Sequence, residues 1–356
     1  MKFLLMTLLM TTSINALAQN RNQNSVIVGG ALLNILKLPE EIIFGVTAPF
    51  KIKKYNRLAE KTLENKSSST EALTCEQKCA DDFSILADKR ERMNADKGEN
   101  LLAFLNEKSD FADHIQRTVG YCWGHTSTTR TFNYLAHFDA QEIHEKAPSK
   151  SDEKEYTKFY KKKIKRIMNY KAEIIPGFKN LREFSADPII KKLLKDKVVW
   201  QWADQALRVR SVGVSTVGQL RLMKQDKVKE FLKEVEERLS VNHAPKVFFT
   251  NLNSPAFIHI VNVNEVRRES ESKVKLCILD NHEYEDDLRD CGRFVSIDFD
   301  KDEYFYSGWD DPNRNLEGFV GQFGFTPEDR IEMVNYQKAN RKLCMKLCKS
   351  SSEGKL

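Results

Sequence analysis

Lys246-Val247-Phe248-Phe249-Thr250-Asn251-Leu252 is followed, after a short polar break, by Ala256-Phe257-Ile258-His259-Ile260-Val261-Asn262-Val263-Asn264-Glu265-Val266. Both runs are rich in Val, Ile and Phe and are bounded by polar residues, the composition of β-strands. Three further runs of the same kind follow, Lys273–Asp280, Arg293–Phe299 and Glu303–Trp309. Consecutive strands with short connections pair antiparallel. The second half of the chain is therefore expected to be an antiparallel sheet.

Upstream of this sheet the period is helical. From Glu71 to about Asn106, apolar residues fall at Phe83, Ile85, Leu86, Leu101, Leu102, Phe104 and Leu105. Residues 150–240 read as mostly helical, with Tyr156, Phe159, Tyr160, Ile164, Ile167 and Met168 at helical spacing. The opposite face of that helix carries Lys158, Lys161, Lys162, Lys165 and Arg166. Such a face is normally solvated, and the basic helix 154–171 is also the place for a weak contact with an anionic surface. Ser215 or Thr216 can cap a helix running to about Leu239, and a last helix spans about Pro327 to Cys348. A helical first part followed by an antiparallel sheet is an α+β fold.

The N-terminus joins Lys2 to an apolar run from Phe3 to Met10 and then to Ala16-Leu17-Ala18. A basic residue, a short apolar core and a small-x-small site are the parts of a signal peptide, here residues 1–18. The run is too short to span a bilayer, and no later stretch approaches that length. A mature chain starting near Gln19 is expected to be secreted or periplasmic. Residues 19–70 form an N-terminal or pro-segment with a Ser-rich end (Ser67, Ser68, Ser69), residues 71–349 one domain with a helical insertion at about 150–240, and residues 350–356 a tail. Lys and Arg total 57 against 51 Asp and Glu, too mild an excess to imply a nucleic-acid partner.

Seven cysteines in an exported chain permit disulfides. Cys75 and Cys79 form one C-x3-C, and Cys344 and Cys348 another. Residues four apart share a helix face. Two antiparallel helices can then be stapled twice, Cys75 to Cys348 and Cys79 to Cys344. Four thiolates can also hold zinc, but C-x3-C is an unusual zinc spacing, so no metal is expected. Cys277 and Cys291 flank a turn-like Asp/Asn-rich segment and form the third pair. Cys122 is left over, and an odd cysteine in an exported chain is an intermolecular linker or a working thiol.

Its context is His114-Ile115-Gln116-Arg117-Thr118-Val119-Gly120-Tyr121-Cys122-Trp123-Gly124-His125-Thr126, with Phe132, Leu135 and Phe138 then at helical spacing. Cys122 is expected at a helix N-terminus, where unpaired N–H groups and the helix dipole stabilise a thiolate. Gly120 allows the close backbone approach of such an elbow. Gln116, five residues, then Cys122-Trp123 is similar to the active-site signature of papain-like cysteine peptidases. That resemblance implies Gln116 as oxyanion donor and Cys122 as nucleophile. It implies a general base on a later strand of the antiparallel sheet, a place that His259 fits. It also implies a third member on the next strand, where Asp280 is the candidate and Asn281 the alternative. Val119 stands where papain has an additional Cys, and the family's Asn-Ser-Trp motif is not found. His114, His125 and His137 match no zinc spacing and are read as structural or surface residues. Gly308-Trp309-Asp310 is a loop aromatic suited to substrate contact or to packing.

The resemblance implies thiol-based hydrolysis of peptide or amide bonds without a cofactor, through a Cys–His–Asp triad acting on a peptide or protein substrate. A transglutaminase-like enzyme or a cell-wall amidase shares the same chemistry. A non-enzymatic, disulfide-stabilised exported binding protein is the third class.

Overall fold

The computed structural model describes residues 74–75, 79, 98–104, 122–201, 225–251, 254–279, 291–301, 303–307, 316–317, 322–326 and 329–352, all within the unit Ser69–Leu356. The signal peptide, the segment 19–70 and the Gly308-Trp309-Asp310 loop lie outside them.

Helices α1 (Cys122–Leu135), α2 (Glu153–Ile167) and α3 (Leu181–Ala186) come first, followed by further helix over 188–201. α2 starts where Asp152 accepts a hydrogen bond from the Glu155 N–H at 3.1 Å, and it buries Tyr156, Tyr160, Ile164 and Ile167. Lys158, Lys161, Lys162, Lys165 and Arg166 face outward. Lys163 is the exception: it turns inward to Glu145 and Glu173. Strands β1 (Ala136–Asp139) and β2 (Glu173–Pro176) form a parallel pair in which Ala136 meets Glu173. Four residues of a parallel pair carry no alternation long enough to stand out in sequence. The aromatic and aliphatic side chains of this half, including Phe132, Tyr160, Phe178, Phe184 and Leu194, make one core.

Helix α4 (Gln225–Ser240) leads into seven strands: β3 (Lys246–Asn251), β4 (Ser254–Arg268), β5 (Lys273–Leu279), β6 (Phe294–Asp298), β7 (Glu303–Tyr306), β8 (Leu316–Glu317) and β9 (Gln322–Phe325). Every pairing is antiparallel, in the order β8-β7-β6-β5-β4-β3-β9. The five strands read from sequence are present, and β8 and β9 are added. β9 passes beside β3, where Gly324 lies opposite Phe248; a Cβ on Gly324 would come within 2.6 Å of the Phe248 ring. β6 and β7 show the alternation of a sheet with one buried face.

The sheet curls. Rings on β3 and β4 meet the Tyr306 ring of β7 at 5.0 Å and 5.3 Å. In a flat sheet three steps of about 4.8 Å would separate β4 from β7. The concave face holds Val247, Phe249, Val261, Val263, Leu276, Ile297 and Tyr306, and α4 covers it with Val228, Leu232 and Val235. Full burial of each such side chain contributes about 1.5–3 kcal/mol.

The last helix, α5 (Asp329–Ser352), runs past Cys348 into the stretch read as a tail. The structure joins Cys75 to Cys348 and Cys79 to Cys344, with Cα atoms 5.7 and 5.8 Å apart. The Cys79 N–H donates to the Cys75 carbonyl at 3.0 Å, the helical turn that puts both sulfurs on one side. Cys277 bonds to Cys291 and closes the segment that carries Asp280 and Asn281. Among the described residues, no helix is long and apolar enough to cross a membrane, and no cluster of side chains suits a metal ion.

Candidate active site

The site is built on α1. Its sequence is polar, yet every residue from Gly124 to Leu135 is buried. A buried polar helix needs partners for its side chains. Thr126 Oγ1 donates to the Ile260 carbonyl at 2.8 Å, and Asn262 Nδ2 donates to the Thr126 carbonyl at 3.2 Å. Lys246 Nζ donates to Ser127 Oγ at 3.0 Å, and Thr131 Oγ1 shares a hydrogen bond with Tyr336 Oη at 3.0 Å. His125 Nε2 lies 2.9 Å from the Phe104 carbonyl, and His137 Nε2 lies 2.7 Å from Asn340 Oδ1, so both are structural histidines. α1 is thus clamped between β4 and α5.

Cys122 is the first residue of this clamped helix. It is half-buried and is in none of the three disulfides. Thr126 sits one turn further on, about 6 Å along the axis. It reaches β4 at the residue next to His259, and Leu279, the last residue of β5, pairs with Asn262. Strand carbonyls lie in the plane of the sheet. The first turn of α1 therefore meets the edge of β4 beyond the described end of β5. α1 and β4 are thus neighbours, but α1 meets β4 through Ile260 and Asn262, and the His259 side chain lies on the other face of that strand.

His259 is 5 % exposed and pairs across the ladder with Phe249. Its Nε2 lies 3.2 Å from Tyr306 Oη, and its ring meets Phe249 edge-on at 5.4 Å. Period-two alternation puts His259 with Val261 and Val263 on the concave face, whereas Asn262 faces α1. Gln116, Asp280 and Asn281 lie outside the described residues.

Sequence reading missed a second polar centre deeper along α1. Asp329, fully buried at the start of α5, receives Arg130 Nη1 at 2.5 Å and the Lys246 N–H at 2.8 Å on Oδ1. Its Oδ2 meets Arg238 Nη1, and His243 Nε2 at 2.8 Å. Glu332 binds Arg130 at 3.0 Å and Lys246 at 3.2 Å. Burial alone would raise the Asp329 carboxyl, but Arg130, His243 and Arg238 outweigh it and hold the group far below the usual carboxylate range. The only hint in sequence is the Asp329–Glu332 spacing, which looks like any acidic first turn.

Burial lowers His243, and Arg130 and Arg238 add to that; Asp329 opposes them, and the imidazole falls from 6.5 to about 4. The native state thus binds fewer protons than the unfolded chain between those values. Stability contributed by neutral His243 is full above pH 6.5 and is lost as pH falls towards 4, by about 3 kcal/mol. Urea midpoints measured from pH 7.5 to 4.5 should fall with that slope, and His243→Gln should flatten it. An unchanged slope in the variant would show that another group titrates.

No family model matches the chain, and neither does any curated protein or solved structure.

Proposed function

We propose that the chain is an exported thiol hydrolase of papain-like architecture that cleaves peptide or amide bonds. The carrying observation is the placement of Cys122. It is the one cysteine outside the three disulfides, half-buried, and it opens a rigid buried helix whose next turn is bonded to the strand of His259. The three disulfides fit an oxidising compartment.

In this reading the Cys122 thiolate attacks the substrate carbonyl while His259 is imidazolium. The Gln116 amide and the Cys122 N–H hold the oxyanion. As the tetrahedral intermediate collapses, the C–N bond breaks and His259 gives its proton to the leaving amine. Neutral His259 then takes one proton from water, whose oxygen attacks the thioester; the C–S bond breaks, the acid leaves, and the Cys122 thiolate is regenerated beside the His259 imidazolium. Asp280, or Asn281 in its place, orients the imidazole. The outward basic face of α2 is a site for weak contact with anionic surfaces.

A second reading rests on the burial of His259 on the concave face and its hydrogen bond to Tyr306. Such a histidine is satisfied by packing alone, and the chain is then a disulfide-stabilised binding protein. Assay of the native protein against a quenched-fluorescence peptide library separates the two. The hydrolase reading expects turnover that drops by a factor of about 10³ or more in Cys122→Ala. No turnover by the native protein, or equal turnover in the variant, supports the second reading.

A further inference from the structure

We infer that the outward face of α2 is a docking row for an anionic polysaccharide, an inference that builds on the basic face named above and does not depend on the thiol chemistry. An α-helix turns about 100° and rises about 1.5 Å per residue. Lys154, Lys158, Lys161 and Lys165 of α2 therefore fall within about 60° of one another and make a row about 17 Å long, with a positive charge every 5–6 Å or so. All four are exposed. Lys158 meets Glu155 at 3.2 Å, whereas among the described residues no carboxylate answers Lys154, Lys161 or Lys165. Lys162, also exposed, stands on the shoulder of the row.

Like charges three and four residues apart destabilise a helix, and this row sets Lys154 beside Lys158, Lys158 beside Lys161, and Lys161 beside Lys165. The core side of α2 holds the row straight against that repulsion. Asp152 caps the helix, Tyr156 Oη donates to Asp187 Oδ2 at 3.1 Å, and Tyr160 Oη donates to the Pro176 carbonyl at 2.8 Å. A fixed row of charges is complementary to a linear polymer that repeats an anion at a similar pitch, as a chain of sulfated or carboxylated sugars does. Binding neutralises the repulsion along the helix and releases the counterions of the polymer. Lysines act as point charges and do not demand the planar, two-oxygen anion that suits arginine. Two other polyanions fit less well. Tyr156 and Tyr160 are buried and Phe159 lies against Lys163 at 5.2 Å, so the row offers no exposed ring on which a base could stack. The apolar side of α2 is spent in the core, so none of it is left to enter a bilayer.

The test is the binding of heparin, a sulfated polysaccharide, by three proteins over a range of salt concentrations. They are the native chain, the row variant Lys154→Gln/Lys161→Gln/Lys165→Gln, and a control with the same change of charge, Lys227→Gln/Lys233→Gln/Lys338→Gln on α4 and α5. All six side chains are exposed, and thermal melts check that each fold is intact. At low salt the dissociation constant should rise about tenfold or more in the row variant and less than about twofold in the control. With four contacts, the logarithm of the native binding constant should fall against the logarithm of salt with a slope of about −3, and the row variant should flatten it to about −1. Equal losses in the two variants would mean that net charge alone holds the polymer, and would overturn the inference. Tighter native binding to a single-stranded oligonucleotide or to phosphatidylglycerol vesicles than to heparin would overturn it as well. Peptide turnover read on the same samples keeps the hydrolase reading separate, since its failure appears as absent turnover and leaves the heparin result unchanged.

Discussion

Asp329→Ala should cost about 3–5 kcal/mol of stability, the loss typical when one partner is removed from a buried charge cluster. The Asp329 carboxylate is fully buried and accepts from Arg130, Arg238, His243 and the Lys246 N–H. Alanine leaves two guanidinium groups facing each other in the interior. Glu332 still answers Arg130, and the half-buried Glu234 still answers Arg238, so the cluster is weakened rather than stripped. Asp329→Asn should be only slightly milder, because its NH₂ has no acceptor among those donors. Domains are stable by about 5–15 kcal/mol, so this single change removes a large share. Denaturant unfolding gives the answer. A change below about 1 kcal/mol would mean that the cluster is solvated and carries no such energy.

The second large effect is a non-additive one. Cys75–Cys348 and Cys79–Cys344 span 273 and 265 residues and lie one helical turn apart at each end. Either bridge alone closes the long loop and restricts the unfolded chain, by about 5 kcal/mol on the entropy model. Once one bridge is in place, the other closes only the short ring between them, which contributes roughly 2–3 kcal/mol. Replacing one pair by alanine should therefore cost only roughly 2–3 kcal/mol, and replacing both about 7–8 kcal/mol, more than twice as much. Equal, additive losses would mean that the bridges act through native contacts and not through the unfolded chain.

Both predictions concern features that sequence revealed unequally. The two-bridge staple was legible because C-x3-C fixes a helix face and the two motifs stand near the ends of the domain. The five strands from Lys246 to Tyr306 were legible because Val, Ile and Phe cluster between polar breaks. Cys122 at the first turn of α1 followed from the helical spacing of Phe132, Leu135 and Phe138, although the helix ends at Leu135 and Phe138 lies on β1. The buried centre around Asp329 was not legible. Arg130, Arg238 and Lys246 have the composition of solvated residues, and only the packing of α1, α4, β3 and α5 reveals that water is excluded. Tyr306 was hidden for a related reason. Its partner is three strands away in the sheet order, and nothing local in the sequence encodes how far a sheet curls. Helix α1, buried although polar from His125 to Thr131, also departs from the apolar stripe by which helices are usually recognised.

The site itself rests on Cys122 acting as a thiolate nucleophile. Its most direct test is to treat native protein at pH 6 with one equivalent of iodoacetamide and then to map the adduct by mass spectrometry. The expected result is a single adduct, on Cys122, with the six cysteines of the three bridges recovered as disulfides. An unmodified Cys122 under those conditions, or one recovered in a disulfide, would contradict it.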